Sequence, residues 1–322
     1  MTQPWTLAVD LGGTKVDAAL VRNGAVNSRS RSRQPTGASA TSDQLAASVV
    51  AAVTAALAEL PVGDTLDSVG VATAGPITIA TGSTSPVNLP AWRDFGVRSL
   101  VARAVHEVHP GVPVHFGLDG TAITVAEHRY GAGAGIPNLM CIVVSTGIGG
   151  GILVDGQLLH GSTGNAGHLG QTYVSGFELP GRPSTAVTFG PRAVTVEEVA
   201  AGPGSLAWAR QQGWMGDDGL ALAADYAAGN AVAIAAVRRS AAAVGQAIAG
   251  AAALLNLDAV LVGGGFSRVT PQYTRLVQET VDAHPLPFVR ATRVLPSVLG
   301  DDGPLLGAAA LRHYSGAAAH QL

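Results

Sequence analysis

The chain is 322 residues long, 47% hydrophobic, 5% aromatic and 13% charged, with a formal net charge of −3. That length suggests two domains of about 100 to 200 residues each, and the apolar content excludes a disordered chain. A single cysteine, Cys141, excludes an intramolecular disulfide, and a slightly acidic chain with no local basic run gives no reason to expect a nucleic-acid partner.

The first residues, MTQPWTLAVD, lack the basic stretch and long apolar run of a secretory signal, so a cytoplasmic location is expected. The most apolar stretch, Ala241 to Leu255, is shorter than the roughly 20 residues of a bilayer span and follows Arg238 and Arg239. It reads as a buried helix, and no membrane partner is expected.

In chain order, Thr6 to Leu11 is a predicted strand, Leu11-Gly12-Gly13-Thr14 a turn and Val16 to Val21 a returning strand, followed by a polar bend at Arg22 to Gly24. Gln44 to Leu60 reads as a helix, capped within Thr41 to Asp43 and stopped by Pro61. A short buried strand at Ser68 to Ala72 leads into a Gly, Pro, Ser and Thr-rich stretch, Ala74 to Trp92, which reads as a functional loop. A helix at Val97 to Val108, a strand at Val112 to Phe116 and a helix at Thr121 to Tyr130 follow.

Leu139 to Ser145 is a continuous buried strand entering the turn Thr146 to Gly150, with a strand at Gly151 to Val154 returning from it. Gly170 to Thr195 has no clear period. Helices are predicted at Val196 to Ala201, Gly204 to Gln212, Asp218 to Ala228 and Ala231 to Leu255, then a buried strand at Ala259 to Val262 ending in Gly263-Gly264-Gly265. A helix at Gln272 to Ala283, a strand near Ala291 to Leu295 and a helix at Pro304 to Tyr314 close the chain. Two segments that each open with a strand running into a glycine turn suggest a duplicated α/β architecture, alike in pattern only.

Asp10-Leu11-Gly12-Gly13-Thr14-Lys15 carries the first chemistry. Glycines let backbone amides approach an anion, Thr14 adds a hydroxyl, and a carboxylate at a strand end can hold a metal-bound water, which suits a nucleotide phosphate with Mg²⁺. A GG hairpin turn alone would be equally ordinary. Ser145-Thr146-Gly147-Ile148-Gly149-Gly150-Gly151 repeats the pattern, and Val262-Gly263-Gly264-Gly265-Phe266 leaves space beside a strand end for a flat ligand.

In this order and spacing the three turns resemble the ROK family of sugar kinases, repressors and uncharacterised relatives, in the actin-like ATPase superfamily. Ser85-Pro86-Val87-Asn88-Leu89-Pro90-Ala91-Trp92 is similar to the family's substrate loop, and the run Gly300 to Ala308 to its C-terminal signature. The resemblance covers nearly the whole chain. It implies a two-domain, ribonuclease H-like α/β fold with a cleft, divided as 1–118 plus 304–322 and 119–303, and a homodimer.

The resemblance also implies ATP and Mg²⁺ as cofactors and a sugar or cyclitol as substrate. Asp10, Gly12, Gly13, Thr14, Lys15, Thr146, Gly147 and Gly149 would serve the phosphates, with Asp10 toward Mg²⁺, and Gly264 and Gly265 would lie at adenosine. Asp119 stands at the general-base position, where a carboxylate at a helix start accepts the proton of an attacking hydroxyl. Substrate contacts would come from Asn88, Leu118, Asp119, Asn165, His168 and Glu197. Glu197 and Glu198 are also ordinary charges for a first helical turn.

The chain departs from the family pattern. The interval Leu169 to Thr195 holds no cysteine, so the family's structural zinc, which takes thiolates and a histidine, is not expected. Packing of Tyr173, Phe177 and Phe189 would order the loop instead. Leu118 replaces an Asn and Asn165 a Glu at positions that read ring hydroxyls in the family. A polar site rejects a ligand lacking its partner strongly, so the expected substrate is a neutral hexose-like polyol other than plain glucose, such as a modified sugar or a C7-cyclitol. A non-catalytic sugar-binding protein remains the alternative. The family's repressors add a DNA-binding domain before the first phosphate strand, and a strand starting at Thr6 leaves no room for one.

Overall fold

The computed structural model describes residues 4–177 and 193–314. Its strands are β1 (Trp5–Leu11), β2 (Lys15–Arg22), β3 (Ala25–Val26), β4 (Ser32–Pro35), β5 (Leu66–Thr73), β6 (Ile77–Thr78), β7 (Ser83–Thr84), β8 (Val114–Leu118), β9 (Leu139–Val144), β10 (Ile148–Val154), β11 (Gln157–Leu158), β12 (Tyr173–Val174), β13 (Val194–Thr195), β14 (Ala259–Gly263) and β15 (Arg293–Pro296). Its helices are α1 (Ser42–Leu57), α2 (Val97–His106), α3 (Asp119–Tyr130), α4 (Val196–Ala200), α5 (Gly202–Gln211), α6 (Gly219–Ala227), α7 (Ala231–Leu255), α8 (Tyr273–Asp282), α9 (Pro287–Arg290) and α10 (Gly303–Ala310). The chain divides into two compact units, Met1–Ala134 with Gln157–Ala166 and Leu299–Leu322, and Gly135–Gly156 with Gly167–Val298.

In the first unit the sheet runs β3-β2-β1-β5-β8, with β4 also on β2. β1 and β2 are antiparallel, whereas β1, β5 and β8 are parallel, so the carboxyl ends of those three strands lie along one edge. That edge is where ligands bind in open α/β sheets. Asn23 and Gly24, both at positive φ, make the tight turn from β2 to β3. One face is packed by α1 and α2 around Leu7, Val9, Leu45, Val49 and Val101. On the other face Ala8, Ala72 and Ala122 meet Leu305 and Ala308 of α10. The approach there is backbone to backbone: a Cβ on Gly70 would collide with the Ala308 carbonyl, and one on Gly307 with the Ala122 carbonyl.

This packing moves the expected domain boundary. Placing it at 118/119 would separate α3 from α10, yet the two are in van der Waals contact along their length, so α3 belongs to the first unit and the chain leaves that unit after Ala134. Glu127 of α3, fully buried, accepts hydrogen bonds from the amides of Ala132 (3.0 Å) and Leu299 (3.1 Å), fastening the two segments. The return at Leu299 likewise precedes the expected 304.

The second unit repeats the scheme. β9 and β10 form an antiparallel pair, β9, β14 and β15 are parallel, and the strands run β10-β9-β14-β15. α7 and α8 pack on this sheet through Val237, Val244, Ile248, Leu276 and Val277. α7 is capped by Asn230, whose side chain accepts the amides of Val232 and Ala233. By length and composition alone its 25 residues could cross a membrane, but its apolar face lines the core of this unit.

Several edges differ from expectation. α3 begins at Asp119 rather than Thr121, and β8 at Val114 rather than Val112, because Pro113 has no amide to pair. β4, β6 and β7 carry no apolar alternation and form by pairing with neighbours already in place.

Candidate functional site

The carboxyl edge of the first sheet collects the first group of candidates. β1 ends beyond Asp10, and Gly12 closes the following turn by donating to the Lys15 carbonyl at 2.9 Å. The amides of Gly13 and Thr14 meet no acceptor among the described residues, so the turn offers two donors to an anion. Asn88 lies directly on this turn: a Cβ on Gly13 would stand 2.8 Å from the Asn88 Cβ, so only glycine lets the loop 85–92 close over it. The Asn88 side chain is exposed.

Asp119, the first residue of α3, follows β8 on the same edge. Its Oδ1 accepts the Gly120 amide at 2.7 Å, which fixes the carboxylate at the helix start. Asp10 stands close enough for the two carboxylates to repel. Burial first, then the charges of Asp119 and Asp17, push the Asp10 carboxyl up to about 7. Such a pair is a donor set that a divalent cation would relieve.

Cations frame this edge. Arg33 grips Asp17 with both ends of its fork, Nε to Oδ1 and a terminal nitrogen to Oδ2, each at 2.7 Å; Lys15 reaches the same carboxylate at 3.2 Å and Arg31 at 3.4 Å. Burial would raise the Asp17 carboxyl, but these partners outweigh it and hold it at about 2. The sequence reading missed this hub. Its signal is an acidic residue in the middle of an otherwise apolar strand, opposite Asp10 in the hairpin register.

The second unit collects the other candidates around the second turn. Ser145 donates its amide to Gly147 and accepts from Gly202, the first residue of α5. Gly264, at φ +99, is tucked against the backbone of Val144, and a Cβ there would collide with it. Glu197 reaches into the turn: its Oε2 accepts the Ile148 amide at 2.7 Å, and its Oε1 accepts from Gln171 at 3.1 Å. A Cβ on Gly147 would sit 2.7 Å from that carboxylate. Glu198 does the different work of a capping box with Thr195. The two adjacent acids therefore split the alternative readings between them.

His168 is carried to the same turn because Gly167 packs against the backbone of Gly150 and Gly170 against that of Ile148. Its Nε2 is buried with no hydrogen-bond partner among the described residues. A buried imidazole nitrogen left open in this way is poised for a ligand hydroxyl.

Two residues expected at the substrate are engaged with the protein itself. Leu118 is 1% exposed and packs in the first unit's core, so its side chain faces away from solvent. Asn165 is committed to the protein: its Oδ1 accepts the Ile77 amide at 2.9 Å, and its Nδ2 donates to the Ile77 carbonyl at 2.7 Å and to Thr163 at 2.9 Å. The amide thus copies a strand's pairing onto β6, something a carboxylate could not do with the carbonyl.

Of the aromatics expected to order the loop after His168, Phe177 packs against the second unit's core. Tyr173 is 71% exposed, which removes it from the packing, and Phe189 lies outside the described residues. β12 and β13 pair instead, Tyr173 with Thr195 and Val174 with Val194. Arg239 of α7 lies 5.6 Å from the Phe177 ring and 5.5 Å from the Trp208 ring, and donates to the Val199 carbonyl at 2.9 Å. An arginine on the buried side of an Ala-rich helix was the signal for it. No group of three or more metal-ligating side chains occurs among the described residues.

Comparison with known proteins follows the same outline. The ROK family profile matches residues 6–314. N-acetylmannosamine kinase of Citrobacter koseri is 34% identical over 80% of this chain and 82% of its own length. A ROK hexokinase from Thermus thermophilus superposes with a TM-score of 0.75 at 28% identity, covering 95% of this chain and 97% of that one. A ROK family glucokinase from Streptomyces griseus, solved with glucose and AMPPNP, gives 0.74 at 26% identity over 95% and 98%.

Proposed function

Because the chain belongs to the ROK family, we propose that it is an ATP-dependent kinase that phosphorylates a primary hydroxyl of a hexose or hexose-like polyol. The observation that carries this reading is the joint placement of Asp119, Asp10, Gly13 and Asn88 on one carboxyl edge. Relatives named as sugar kinases, and a glucokinase solved with a nucleotide analogue and glucose, support it.

The residues fit the cofactors. The amides of Gly13 and Thr14, without an acceptor among the described residues, suit phosphate oxygens, and so in the second unit do Thr146 and Gly147, exposed or half-buried on its turn. Mg²⁺ would be held through Asp10 and would neutralise phosphate charge when bound. Gly265, where a Cβ would meet only the Ser145 hydroxyl at 3.6 Å, leaves room for a flat base, while Gly264 beside it is packed on Val144.

In the reaction Asp119 accepts the proton of the attacking hydroxyl and, because the transition state is loose, orients that hydroxyl as much as it activates it. Asn88 is the first unit's own candidate for a polar contact to the acceptor, and His168 and Glu197 are the second unit's. Glu197 also stiffens the second turn through the Ile148 amide.

The substrate is a neutral polyol. Asn165 is locked to β6, so the position that would offer a carboxylate to a ring substituent offers none. That disfavours an ammonium group, but not an N-acetylated sugar, whose amide is neutral, and the N-acetylmannosamine kinase relatives put that class beside modified hexoses and C7-cyclitols. We take the working form as a cytoplasmic homodimer, in line with the usual symmetry of soluble enzymes. Acceptor-dependent ADP release across these three classes tests the reading.

A further inference from the structure

A cavity of about 300 Å³ opens in the first unit among the β2–β3 turn, the end of α3 and the end of α10, with Arg22, Arg129, Tyr130, Arg312 and His313 in its lining. None of the groups assigned to phosphate, cation or sugar above lines it. Its size is at the small end of metabolite pockets.

The three arginines come from separate elements, and each is anchored by one part of its guanidinium. Arg22 lies 4.0 Å over the Trp5 ring with one terminal nitrogen on Asp64 at 3.0 Å. Arg312 binds Asp67 and Ser68 through one terminal nitrogen and donates its Nε to the His313 Nε2 at 3.1 Å. Arg129 donates its Nε to the Tyr130 hydroxyl at 3.1 Å. In each case another terminal nitrogen has no acceptor among the described residues. Arg129 and Arg312 also sit at helix ends, where a cation offsets the dipole. That accounts for their charge but not for three held forks around one cavity.

We propose that this cavity is a binding site for a small phosphate monoester, distinct from the phosphate turns. The fixed forks supply charge-assisted donors from three directions, which match a tetrahedral dianion better than a planar carboxylate, and anchoring lowers the ordering cost of binding. The surroundings are cationic: burial first, then the charges of Arg129, Arg312 and His115, lower the His313 imidazole to about 4, so it enters as a neutral hydrogen-bonding group. The site stands whatever the reaction is, but the proposed kinase makes a product of this class, and binding here would let that product act back on the enzyme.

The test uses the full chain and inorganic phosphate as probe, with chloride at equal ionic strength as the control, reading thermal midpoint and peptide hydrogen exchange. The expected result is a saturable rise in midpoint and slowed exchange at residues 20–26, 127–131 and 310–314. Arg129→Gln, which leaves the Asp64 and Asp67 pairs intact, should weaken phosphate binding about tenfold or more, the loss of one charge-assisted fork, and Arg129→Lys should restore part of it. No effect beyond that of chloride, or unchanged binding in Arg129→Gln, overturns the proposal. Protection confined to residues 11–16 and 145–149 also overturns it while leaving the nucleotide reading standing; protection at the cavity but not at the turns supports it and counts against that reading.

Discussion

Arg33 holds both carboxylate oxygens of Asp17 at 2.7 Å from the neighbouring strand β4, and the carboxylate it holds is only 3% exposed. Around this pair Lys15 and Arg31 converge, beside the first glycine turn. The hub orders the cations there and charges the field felt by Asp10.

Asp17→Asn should cost about 1–3 kcal/mol at pH 7, because buried donors lose a charged acceptor while the half-exposed Arg33 recovers part of its solvation. The sign with pH follows from the lowered carboxyl. Its stabilisation is complete above the ordinary value of 3.8 and is lost as pH falls toward about 2. Denaturation midpoints of parent and variant should therefore differ at pH 7 and converge between pH 4 and 2; a constant gap would count against the hub.

Glu197 fixes the second turn through one amide, so Glu197→Ala should speed hydrogen exchange at Ile148 and lower kcat/KM for the acceptor by about 10²–10³. Glu197→Gln keeps an acceptor for Ile148 but sets a donor against Gln171, and should fall between. Equal exchange at Ile148 in all three proteins would show that the turn does not depend on this side chain.

Zinc should be absent from the purified protein, and a chelator should leave the thermal midpoint unchanged. Arg239→Met should lower it, by about 1–3 kcal/mol of stability, as the cation–π contacts and the bond to Val199 are lost. Stoichiometric zinc by metal analysis would contradict the account of this loop.

The glycine turns and their flanking strands were legible in the sequence because a turn that must leave backbone amides open needs no tertiary partner to declare itself. The start of α1 within Thr41 to Asp43 and the limits of α7 were legible for the same local reason, whereas α1 ends at Leu57, short of the expected Leu60. The protein contacts of Asn165 and Leu118 were not legible because they depend on what each faces: one mimics backbone for Ile77, the other points into the core, and chain spacing records neither. The domain boundary failed likewise, since the contact of Gly307 with Ala122 joins residues far apart in the chain.

The central claim is that Asp119 serves phosphoryl transfer to a neutral sugar-like hydroxyl. Its most direct measurement is ADP release from ATP and Mg²⁺ with hexoses, N-acetylated hexosamines and C7-cyclitols, run in parallel on the parent protein and Asp119→Asn. The account expects acceptor-dependent release with a substrate other than plain glucose preferred, and turnover about 10²–10⁴ lower in the variant with nucleotide binding retained. No acceptor-dependent release from the parent, or near-normal turnover in Asp119→Asn, would contradict it.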